Sequence, residues 1–148
     1  MKDARLRQAV KQDYLLALGQ ATYCFALGEW QVVWCSEKLL PGSVARFAGK
    51  KLEAGKIAKR FLDLTRNMPP SKNREIIRTL AERFAALVDR RNDIVHGKPC
   101  TGPNGESRLS AGSVIEIPDL ESAADAFSQC SIDLNEQFYG FLATYQPH

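Results

Sequence analysis

Residues 14–40 read YLLALGQATYCFALGEWQVVWCSEKLL, and Pro41-Gly42 closes the stretch as a helix stop signal. Leu15, Leu16, Leu18, Tyr23, Phe25, Leu27, Trp30, Val32, Val33, Trp34, Leu39 and Leu40 spread around more than one face of such a helix. A helix with two apolar faces is either central to a bundle or shared with a second subunit. The run is too short and too interrupted to cross a membrane: Gln20 breaks it, and Glu29 and Gln31 follow closely. Asp3 and Asp13 stand among the basic residues before it with no small-residue cleavage site, so no signal peptide is expected. The expectation is a cytoplasmic chain with no membrane partner.

The pattern downstream is also helical. Ser43 is a plausible N-cap for a second helix to about Arg66, with Val44, Phe47, Ile57, Phe61, Leu62 and Leu64 as its apolar set. Gly49 and Gly55 weaken it, and Arg46, Lys50, Lys51, Lys56, Lys59 and Arg60 make its polar face basic. After Asn67-Met-Pro-Pro-Ser71, a third helix should start at Ser71–Asn73 and run to about Val95, with Ile77, Leu80, Phe84 and Leu87 in register. Turn residues fill Gly97 to Gly112, and Val114-Ile-Glu-Ile117 has the make-up of a short strand. Pro118 follows, and Asp119 can cap a last helix to about Tyr145. The predicted fold is all-α: one domain over residues 1–148, an up-and-down bundle of about four main helices with an ordered Gly/Pro-rich loop before the last.

Composition agrees with a folded chain: 148 residues, 45% hydrophobic and 25% charged, with a net charge of only +3. That small net charge hides an asymmetry. Residues 1–98 hold 19 Lys and Arg against 10 Asp and Glu, a net +9, whereas residues 99–148 hold 1 against 7, a net −6. Either an anionic partner or pairing between the two parts would answer it. Cys24, Cys35, Cys100 and Cys130 form no CxxC and no metal-ligand spacing. They read as small hydrophobes in a reducing compartment, and no metal or cofactor is expected.

The chemistry concentrates in Asp89-Arg-Arg-Asn-Asp-Ile-Val-His-Gly97. Extending the register 77, 80, 84, 87 by four lands on Arg91, so a guanidinium stands where the core should be. It must meet an acid, a carbonyl or an anionic ligand, or sit at the rim; Asp89, Asp93 and Glu82 are the acids considered. Asn92 and His96 share a strip at i, i+4. Gly97 suits the end of a helix. Arg offers phosphate a forked permanent cation, and His moves protons near neutral pH. Two copies across a two-fold axis would double that small set.

Arg91-Asn92-Asp93-Ile94-Val95-His96-Gly97, late in a helical chain of this length, resembles the signature of the HEPN superfamily: an arginine, four to six residues, then a histidine, often with a polar residue after the arginine. The resemblance implies an α-helical homodimer with the motif at its cleft, cleaving RNA without metal. It further implies toxin or defence systems, with an antitoxin or nucleotidyltransferase as protein partner. By position, Arg91 would bind the scissile phosphate, His96 would act in acid–base chemistry and Asn92 would orient the site. Arg90 offers a second alignment, five residues before His96. Arg90, Lys98, Lys50 and Lys51 are the cations expected to guide the RNA backbone. The alternative is a catalytically silent module of the same kind that binds a nucleotide or an antitoxin.

Other features point elsewhere. His148 is terminal and reads as solvated. Gly102-Pro-Asn-Gly105 lacks the Lys-Ser/Thr that follows a phosphate-cradling loop. Tyr23, Trp30 and Trp34 share a stripe and read as core or dimer interface.

Overall fold

A computed structural model describes residues 5–147; Asp3 and His148 lie outside them. The helices are α1 (Gln12–Leu39), α2 (Ser43–Gly49), α3 (Ala54–Arg66), α4 (Lys72–Val95) and α5 (Ile117–Tyr139). Between α4 and α5 lie three short strands, β1 (Lys98–Thr101), β2 (Ser107–Ser110) and β3 (Val114–Ile115). They form an antiparallel sheet in the order β1-β2-β3. The chain is thus mostly helical, as expected, but it is not all-α.

Phe25 of α1 marks the centre of the core. It stacks on Phe84 of α4 at 5.6 Å and meets Phe127 of α5 edge-on at 5.2 Å. Tyr14 reaches Ile115, Phe25 reaches Phe127 and Cys35 reaches Leu134, so α1 and α5 run side by side in the same direction. Arg83 meets Asp133 and Arg90 meets Ser122, so α4 runs antiparallel to both. Ile57, Ala58 and Phe61 bury α3 against this group.

The expected second helix from Ser43 to Arg66 is two helices. Gly49 ends the first, Lys51 takes a left-handed φ of 49°, and the chain restarts at Ala54. Two glycines within seven residues offer too little helix propensity to carry the helix across the break. Gly42, at φ 95°, is the residue before α2, and the Glu37 carboxylate accepts the amides of Gly42 and Ser43. Ser43 instead gives its hydroxyl to the Leu40 carbonyl, so it is not the cap.

Ser71 caps α4 as anticipated, its hydroxyl accepting the Arg74 amide at 3.0 Å. The cap of α5 is Glu116 rather than Asp119. The two form a reciprocal capping box, with Asp119 accepting the Glu116 amide at 2.8 Å. This helix ends at Tyr139, and Phe141–Thr144 continues as a 3-10 turn, short of a single helix to Tyr145.

The sheet accounts for most of the turn-rich stretch. Gly102-Pro-Asn-Gly105 is the hairpin turn between β1 and β2, closed by the Gly102 amide on the Glu106 carbonyl at 2.7 Å and opened by Gly105 at φ 80°. Tyr14 locks this sheet to α1: its hydroxyl donates to the Ile115 carbonyl at 2.9 Å and accepts the Leu109 amide at 3.0 Å. Arg108 lies 4.6 Å over the Tyr14 ring and pairs with Glu116 at 3.3 Å. No helix among the described residues is long and apolar enough to cross a membrane.

Candidate active site

Helix α4 buries Ile77, Leu80, Ala81, Phe84, Val88 and Ile94. The buried line therefore passes through Val88 rather than Leu87, which is half-buried. Arg91 follows it at the end of the bundle, half-buried, with its guanidinium carbon 5.4 Å from the Phe25 ring centre. One guanidinium nitrogen donates to Asn92 Oδ1 at 3.0 Å. The arginine that falls at a core position is thus held on two sides, by an aromatic face and by an amide oxygen.

The acids weighed from sequence do not pair with it. Arg66, Arg74, Arg78, Arg83 and Arg108 each have a carboxylate within 4.0 Å; among the described residues Arg91 has none. The acid that acts on it is Glu29 of α1, which sequence reasoning passed over. Partial burial pushes the Glu29 carboxyl above the usual carboxylate range, and the Arg91 charge offsets part of that rise. Glu29 lies four residues after Phe25, on the same strip of α1, and only the packing of α1 on α4 brings that strip to Arg91.

His96 is the C-cap of α4, with φ −104° and ψ 11°, and its amide bonds the Asn92 carbonyl at 2.9 Å. Its imidazole is exposed. Gly97 follows in a tight position where a side chain would crowd its neighbours. A Cβ there would lie 3.0 Å from Leu109 Cβ and 3.2 Å from the carbonyl oxygens of Asp93 and Ile94. Thus β2 is clamped against the helix end, and the first strand leaves directly from it. Lys98, exposed at the start of β1 opposite Ser110, stands two residues from His96.

Arg91 and His96 are about 140° apart around the helix, and no hydrogen bond joins them among the described residues. Arg90 points elsewhere: it donates to Ser122 Oγ on α5 at 3.0 Å, which ties two helices together. Lys50 and Lys51 are exposed in the α2–α3 connection, a separate place in the fold from the end of α4. Arg60, counted on the same basic face, lies 5.9 Å over the Phe47 ring and packs α3 against α2. Among the described residues no three His, Cys, Asp or Glu side chains gather to hold a metal ion.

Comparison with protein-family models, with curated proteins and with solved structures finds no match for this chain.

Proposed function

We propose that this chain is a cytoplasmic, metal-independent endoribonuclease of HEPN type, working as a homodimer. The observation that carries this reading is Arg91: a half-buried guanidinium, fixed by Phe25 and Asn92 and free of any ion pair among the described residues, just ahead of an exposed imidazole at a helix end. A cation without a carboxylate partner keeps its fork available to a phosphate.

In this reading Arg91 holds the non-bridging oxygens of the scissile phosphate and steadies the charge that builds in the phosphorane-like transition state. Asn92 keeps its guanidinium in place. His96 takes the proton from the ribose 2′-hydroxyl as that oxygen attacks phosphorus. The departing 5′ oxygen then collects a proton from a second imidazole, supplied by the other copy. Lys98 beside His96 guides the flanking backbone, Arg90 on α4 adds positive charge one residue before Arg91, and Lys50 and Lys51 attract RNA from further off. An antitoxin or a nucleotidyltransferase would be the controlling partner.

The test is cleavage of single-stranded RNA by the purified chain in EDTA. His96→Ala and Arg91→Ala should each lower the rate at least about a hundredfold with helical content unchanged by circular dichroism. Cleavage that survives His96→Ala would overturn the assignment.

A further inference from the structure

Leu16, Gln20, Tyr23, Leu27, Trp30 and Trp34 recur along α1 at alternating spacings of four and three, the period at which two helices share a seam. This line lies on the side of α1 opposite Phe25 and so faces away from the core. Leu16 is 62% exposed, Tyr23 67%, Leu27 and Trp30 49% each, and Trp34 39%.

Edge contacts carry the patch from Trp30 through Trp34 and Phe138 to Tyr139, which is also exposed. Together these side chains leave on the order of 700 Å² of apolar surface, more than the roughly 300–600 Å² of a typical monomer's largest patch and close to the about 800 Å² each partner gives a stable interface. No charge interrupts the line. Beside it sits Gly19, where a Cβ would meet nothing within 4 Å. A mid-helix glycine is less favourable than alanine, and no contact within the chain calls for it.

We infer that this face of α1 packs against α1 of a second copy of the chain, antiparallel across a two-fold axis near residue 25. That pairing sets position 16 against 34, 20 against 30 and 23 against 27. The bulky indoles of one helix then fall on the narrow half of the other, where Gly19 and Gln20 leave room for Trp30. A parallel pairing would stack indole on indole and set glycine against glycine over a gap. The antiparallel register also brings Asp13, in the first turn, beside the partner's Lys38. The seam is on the side of α1 away from Arg91, so it is a contact separate from any cleft at the end of α4.

The seam is tested by mass and by cross-linking, neither of which depends on nuclease activity. Light scattering should give the full chain at least twice the mass of one copy, and Leu27→Asp with Trp30→Asp should halve that mass at unchanged helical content. Under oxidation, Leu16→Cys with Trp34→Cys in one chain should link two copies covalently, beyond the wild-type background. Those positions lie about 27 Å apart within a chain, so they cannot close on themselves, and neither single variant should cross-link. An unchanged mass, no link in the double variant, or links in the single variants would each overturn the antiparallel seam.

Discussion

At the residue scale, the Glu29 carboxyl on α1 is under two opposed influences, burial and the charge of Arg91 on α4. Burial raises the Glu29 carboxyl more than the Arg91 charge lowers it, so the folded state holds this proton more tightly than the unfolded chain does. The sign follows: ionised Glu29 opposes folding above its folded-state pKa and has no such effect below the unfolded value, where both states are protonated. Glu29→Gln should therefore raise Tm at pH 7, and the gain should shrink as pH falls through the carboxylate range. Thermal melts at pH 7 and pH 4 check it; a lower Tm at pH 7 would mean that the attraction to Arg91 outweighs burial. The site was only half legible in the sequence. The coincidence of an arginine with a core position showed in the spacing of α4 alone. Its actual surroundings, Phe25 and Glu29, lie some sixty residues earlier and are set by how α1 crosses α4, which periodicity does not encode.

At the element scale, β3 falls within the short strand expected at Val114–Ile117, whereas β1 and β2 lie in the stretch whose residues signal turns. The strands of the sheet are four, four and two residues long, too short for alternation to announce them. Pro99 and the serines of β2 carry weak strand propensity. What makes them strands is Tyr14, a residue of α1 that satisfies one amide and one carbonyl at the sheet. Tyr14→Phe leaves both without that partner and should cost about 1–3 kcal/mol. Amide hydrogen exchange should quicken most at Leu109, and a uniform loss across the bundle would contradict this account. The helices were easier to read, because Ser71, Pro41-Gly42 and the 77-80-84 register are local signals. The break at Lys50–Glu53 also has a local signal, the glycines at 49 and 55, whose weight against a continuous helix exceeds that of the flanking apolar pattern. The cysteines divide in the same way. Cys35 is enclosed, its thiol pushed up to about 12 by burial, and Cys130 is raised for the same reason. A thiol reagent should therefore label these two only on the timescale of unfolding.

At the scale of the whole molecule, the charge division between residues 1–98 and 99–148 has a measurable consequence. Of the acidic segment, Asp133 and Glu116 are occupied by Arg83 and Arg108, while Lys50, Lys51 and Lys98 remain exposed. RNA held through such cations should loosen steeply with salt. Lys50→Ala with Lys51→Ala should flatten the plot of log affinity against log salt by about 1.4, at roughly 0.7 per phosphate contact on a single strand. An unaltered slope would remove the α2–α3 connection from the RNA path.

The side-by-side course of α1 and α5 also bears on how the chain comes into being. The ribosome releases α1 well before α5, so through much of synthesis the flank of α1 that Phe127 and Leu134 will cover stays bare. Such a segment invites clumping or a guardian chaperone, and fragments that stop short of residue 117 should emerge insoluble.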